Sequence, residues 1–290
     1  MTETATLLCF DSGVGGLNTL EALLHDSPSS SLYYGADTAW VPYGDKQPSL
    51  LRARIVDLIT QAVAQFPIHG VAIACNTAIC ALLSGGQPQT TPDEPAKLVF
   101  DDIPLPIYSV VHATVDALAQ CHSAQPLGRV GVLATAETAA SGVYARLIGE
   151  QLGPDVQVFE QACPDLVPLI EAGQLGDPAL ETALYQYMAP LLDEGMEALV
   201  LGCTHYSLLA PLAKMHGLMV GQPLTVVDSA WVFAGILKKY IHDFTVVAHD
   251  SGGVNGRMML VTGDTGLFKT TLAQLPLPHC WEIPLKHWPV

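Results

Sequence analysis

Basic residues are scarce in this chain. Lys and Arg total 12 among 290 residues against 28 Asp and Glu, a formal net charge of -16. That balance excludes a surface built to neutralise nucleic-acid phosphates. Also missing is any stretch near the ~18 uncharged apolar residues that a membrane-spanning helix needs. The opening MTETATLLCF has no basic segment leading into a long apolar one, so no secretory signal is read and the expected location is the cytoplasm. The cysteines, at 9, 75, 80, 121, 163, 203 and 280, are odd in number and none stands in a CxxC pair. Neither a disulfide framework nor a structural zinc site is signalled, and the thiols are expected to be free.

Apolar residues, by contrast, make up 50% of the chain, enough to bury one large domain or two smaller ones. The first unit reads strand, turn, helix: TLLCF, then DSGVGG, then Leu17, Leu20, Leu23 and Leu24 at helical spacing. A short apolar stretch, SLYYGAD, precedes the irregular TAWVPYGDKQP. Residues 49–66 carry a helical stripe of Leu51, Ile55, Leu58, Ile59, Val63 and Phe66, and HGVAIACNTA is the next strand. Alternation of this kind predicts an α/β fold with a mainly parallel sheet. Residues 84–106 hold five prolines and a cluster of acids, and read as an exposed excursion or linker.

After that stretch the pattern begins again. GRVGVLATAETAASGVY stands where LLCFDSGVGG stood, DVQVFEQACPDLVPLIEAG follows as LYYGADTAWVPYG did, and MEALVLGCTHYSLLAPL matches HGVAIACNTAICALL. Each half thus ends an apolar strand with a small residue, a cysteine and a polar side chain: Cys75 in one, Cys203 in the other. Two facing halves would bring both thiols to one cleft, beyond the carboxyl ends of the strands where open α/β sheets bind ligands. Two thiols across a cleft suit stereoinversion at a carbon acid, which needs a base on one face and an acid on the other. A hydrolase or a decarboxylase has no use for the second one.

Supporting groups stand near. Asp11 ends the first strand, and His205 follows Cys203 by two residues. Asp11 can equally cap the helix that follows, as can Ser12; His205 can be a satisfied core histidine, and Glu171 an ordinary surface residue. Ser12, Asn76, Thr77, Thr135, Thr138 and Thr204 recur at predicted strand ends, where hydroxyls, amides and backbone N-H groups can hold a carboxylate without arginine. DSGVGG invites a rival reading as a dinucleotide phosphate loop, with Asp37 as the ribose-binding acid. Asn18 occupies the place of that fingerprint's third glycine.

The stretches FDSGVGGL, YYGADTAWVPYGDK, ACNTA, VGVLATAETAASGVY, ACPDLVPLIEAG, LGCTHYSLL, VVDSA and VTGD span residues 10 to 264. Together they resemble the cofactor-independent aspartate/glutamate racemase family, and the first two favour its glutamate branch. The resemblance implies two pseudo-symmetric α/β domains with the active site in the cleft between them. It implies Cys75 and Cys203 as acid/base thiols, supported by Asp11, Glu171 and His205. Ser12, Pro42, Tyr43, Gly44, Asn76, Thr77, Thr135, Thr138 and Thr204 would line the substrate site. The resemblance implies neither pyridoxal phosphate nor a metal; it implies glutamate as the substrate, D-glutamate entering peptidoglycan synthesis, and a homodimer. The chain departs from the family at Gln47, where Ser or Thr is usual, and at Ser207, where Pro is usual. Its proline-rich excursion is also longer. The domains expected are 1–111 with 227–290, and 112–226, the C-terminal segment returning to the first half. A racemase of aspartate or a hydantoin, and a silent binder of an acidic metabolite, are the alternatives.

Overall fold

A computed structural model describes residues 6–26, 32–91, 93–173, 175–242 and 257–290. Ser31 of the predicted second strand, Pro92 of the excursion, and 243–256 of the segment expected to return to the first half lie outside them.

Two sheets carry the fold. The first is built from β1 (Leu7–Asp11), β2 (Leu32–Ala36), β3 (Gly70–Ile73), β4 (Gln89–Thr91), β5 (Glu94–Val99) and β6 (Ile107–Ser109), with β11 (Arg257–Val261) and β12 (Leu285–His287). The second holds β7 (Arg129–Ala134), β8 (Gln157–Ala162), β9 (Ala198–Gly202) and β10 (Thr225–Asp228). The first runs in the order β12-β11-β2-β1-β3-β6-β5-β4 and the second β10-β9-β7-β8. Within them β2-β1-β3-β6 and β8-β7-β9-β10 follow the same order, every neighbour parallel. This is the internal repeat in three dimensions: β3 and β9, which lead to Cys75 and Cys203, are equivalent strands. β1, β3 and β9 are buried along their whole length, as strands covered on both faces must be, which is why they read as unbroken apolar runs.

Helices cover the strands in the expected alternation. They include α1 (Leu17–Asp26), α2 (Pro48–Gln65), α3 (Asn76–Ser84), α4 (Val110–Ala124), α5 (Ala136–Ala140), α6 (Val143–Leu152) and α7 (Leu166–Glu171). Pro48 opens α2, where its missing N-H costs nothing, and the helix buries Leu51, Ile55, Leu58 and Ile59 of the predicted stripe.

The excursion at 84–106 is not a linker. β5 pairs antiparallel with β6, and β4 with β5, so the segment extends the first sheet by two strands. Ala96 and Leu98 are buried there while β4 is exposed throughout. Proline is tolerated in strands near a sheet edge, where few ladder bonds depend on it. Arg257–Val261 pairs in parallel with β2, so the C-terminal strands complete the first sheet. Among the described residues, no helix is long and apolar enough to cross a membrane.

Candidate active site

The carboxyl ends of both sheets open onto one cavity of about 360 Å3. Its wall includes Ser12, Pro42, Tyr43, Gly44, Cys75, Asn76, Thr77, Thr135, Glu171, Cys203, Thr204 and His205. Of the residues singled out from sequence, Asp11 and Thr138 do not line it; both are fully buried just behind it. Cys163 does line it, together with Val41, Asp45, Pro164, Val167 and Pro168. Sequence reasoning passed over this third thiol, although it directly follows β8, in the same strand-end position that drew attention to the other two.

Cys75 caps α3, its Sγ donating to Ser12 Oγ at 3.7 Å. Burial raises its pKa strongly, and the charge of Asp11 adds to the effect, so both favour the thiol form of this sulfur. Cys203 precedes a short 3-10 turn, Thr204–Leu209, that turns His205 back toward it. His205 Nδ1 lies 3.8 Å from Cys203 Sγ, and Nε2 lies 2.8 Å from Glu171 Oε1. Burial alone would keep the imidazole neutral, but its hydrogen bonds to Cys203 and Glu171 outweigh that and raise its pKa well above the ordinary value. The two sulfurs therefore have different surroundings: a serine hydroxyl stands beside one, and an imidazole that is itself anchored by a carboxylate stands beside the other.

Asp11 accepts from the Gly13 N-H at 2.8 Å and from Thr204 Oγ1 at 3.3 Å. It thus holds the DSGVGG turn and ties it to the other sheet's Cys203 turn. Burial raises its pKa, opposed by the nearby His205 charge and by its hydrogen-bond donors. Thr77 from α3 meets Thr135 at 3.0 Å and Thr138 at 3.1 Å, so three hydroxyls, two of them in the cavity wall and Thr138 behind it, bridge the two sheets' loops.

The glycines of DSGVGG face protein, not phosphate. A Cβ on Gly15 would lie 2.6 Å from both Thr204 Oγ1 and His205 Cε1, and one on Gly16 would lie 2.6 Å from Asp11 Cβ. Asn18 Nδ2 donates to Gly15 O and to Thr204 O, both at 3.0 Å. The turn is filled by the Cys203 loop, which leaves a pyrophosphate no room. Gly15→Ala is expected to push His205 off Cys203. Steady-state kinetics should then show turnover lowered by about a hundredfold, the scale of a 1 Å misplacement. The melting temperature should fall by only a few degrees.

A model of the Asp/Glu/Hydantoin racemase family matches residues 12–236. The chain belongs to that family. Among relatives, the glutamate racemase of Ectopseudomonas mendocina is 38% identical over 82% of this chain and 83% of its own. The Pseudomonas aeruginosa glutamate racemase is 33% identical over 97% of this chain and 96% of its own. The crystal structure of glutamate racemase from Thermus thermophilus in complex with beta-chloro-D-alanine superposes with a TM-score of 0.74. It is 28% identical and covers 99% of this chain and 98% of its own. Family membership fits the paired geometry, because the equivalent strands β3 and β9, one in each repeat, each lead to a cysteine in the shared cavity.

Proposed function

We propose that the protein interconverts L- and D-glutamate by two-base proton transfer between Cys75 and Cys203. The observation that carries this reading is that the two cysteines follow equivalent strands of the two sheets and open into one cavity. The similar glutamate racemases name the substrate. In one direction a thiolate takes the Cα proton, the electron pair is left on Cα, and the opposite thiol delivers its own proton to the other face. The return reaction exchanges the roles.

An α-proton beside a carboxylate is a very weak acid, so preorganised donors must stabilise the carbanion-like transition state with water excluded. Ser12, Asn76, Thr77, Thr135 and Thr204, with the backbone of Pro42–Gly44, are the groups that would hold the substrate. Thr138 would act from behind through Thr77 and Thr135. Asp11, Glu171 and His205 would set the charge and orientation of the thiols. The division into 1–111 with 227–290 and 112–226 belongs to this reading, since it puts Cys75 on one unit and Cys203 on the other.

The two enantiomers have equal free energy, so net formation of D-glutamate depends on its removal into peptidoglycan. All seven cysteines are unpaired, which suits a cytoplasmic location. A homodimer is part of the same reading.

Proton NMR of L-glutamate in D2O with the protein and a reductant, without added cofactor, tests the reading. The expected result is loss of the Cα-H signal with D-glutamate appearing. A persistent signal for glutamate, with exchange of aspartate or a hydantoin instead, would move the substrate within the family. No exchange of any of them would leave a binding protein.

A further inference from the structure

Asn76 is 2% exposed, yet its side-chain Nδ2 has no hydrogen-bond partner. A buried donor left unpaired is costly, and such groups ordinarily await a ligand or another role. The other end of the same amide is engaged. Tyr144 Oη donates to Asn76 Oδ1 at 2.6 Å. Tyr144 is fully buried on α6, on the second sheet's side, and does not line the cavity; Asn76 does.

An amide is nearly symmetric in shape but not in charge. With Oδ1 turned to a fixed hydroxyl, the NH2 group is presented elsewhere, where it attracts a carboxylate. Rotated by half a turn, the same side chain would set its oxygen against that carboxylate and repel it. We propose that Tyr144 is a positioning residue that fixes the Asn76 amide so that Nδ2 is offered to a substrate carboxylate. The inference rests on the glutamate reading above. It also makes substrate capture depend on both halves of the repeat, because the hydroxyl comes from one half and the amide from the other. Burial raises the phenol's pKa far above its usual range, and the group is set back from the cavity, so it takes no part in proton exchange with substrate.

Tyr144→Phe keeps the ring and its volume and removes only the hydroxyl. The experiment is calorimetric titration of racemic glutamate, which undergoes no net turnover, into wild type, Y144F, N76A and the double variant. Y144F should weaken binding about tenfold, the scale of one hydrogen bond to a charged group. In the double variant it should weaken binding no further than N76A alone, since Tyr144 acts through Asn76. A merely structural role predicts the same loss in both backgrounds, and that result, or unchanged binding by Y144F, overturns the proposal. The Asn76 side-chain NH2 signals of the wild type, assigned by their loss in N76A, should shift on addition of glutamate. Unshifted signals overturn it whatever Y144F does. A wild type that bound no glutamate would instead sink the glutamate reading, and this proposal with it.

Discussion

Serine in place of either Cys75 or Cys203 should lower glutamate racemisation by at least about a thousandfold. The substitution is small, and both sites are buried at the start of a helical turn, so the fold should survive it. What is lost is acidity. A serine hydroxyl can neither take the Cα proton as its conjugate base near neutral pH nor return one readily to a carbanion. Loss of rate alone would not prove two bases, because any damaged site is slow. The sharper expectation concerns isotope exchange in D2O. With one thiol removed, the other can still take the proton from the enantiomer that presents it and return a deuteron to the same face. C75S and C203S should therefore each exchange the α-hydrogen of one enantiomer with retention, and the two variants should exchange opposite enantiomers. Racemisation left intact in both would remove the mechanism. Exchange of the same enantiomer by both would mean that the sulfurs do not work on opposite faces.

The groups at the strand ends were legible because their chemistry conflicts with their surroundings. Cys75, Asn76 and Thr77, like Cys203, Thr204 and His205, close apolar runs that need no polar terminus for packing. The repeat was legible too, because buried parallel strands are short and uniformly apolar, and the order in which they recur survives loss of identity. The edge strands β4 and β5 were not. Their prolines and acids are what an exposed edge tolerates, and the same composition describes a loop. Asp37 was visible only through the rival dinucleotide reading, which Asn18 already disfavoured; its actual partners come from distant segments that no local pattern joins. Asp11 and Thr138 were found as polar strand-end residues, yet spacing could not say that they stand one layer behind the cavity.

Asp37 carries the second large effect. It is fully buried after β2 and accepts four hydrogen bonds: from Arg54 Nε at 3.1 Å and Nη2 at 2.9 Å, from Tyr43 Oη at 2.9 Å, and from Thr262 Oγ1 at 2.7 Å. One carboxylate thus joins α2, the cavity loop at Pro42–Gly44 and the end of β11. Asp37→Ala would leave a part-buried guanidinium and two hydroxyls without their acceptor. Removing one partner of a buried ion pair costs about 3–5 kcal/mol. For a chain of this size, with an unfolding entropy of about 0.6 kcal/mol/K, that is a fall in melting temperature of roughly 5–8 °C, readable by calorimetry. Activity should fall as well, measured well below the new melting temperature, because Tyr43 would no longer be anchored at the cavity wall. Tyr43→Phe separates the two effects. It removes one of the four bonds and keeps the Arg54 pair, so it should cost about 1 kcal/mol of stability while raising KM for glutamate. If Y43F destabilised the protein as much as D37A, the hydroxyl rather than the ion pair would dominate the network. If D37A left both melting temperature and KM unchanged, the carboxylate would not be the junction that ties the C-terminal strand to the cavity loop.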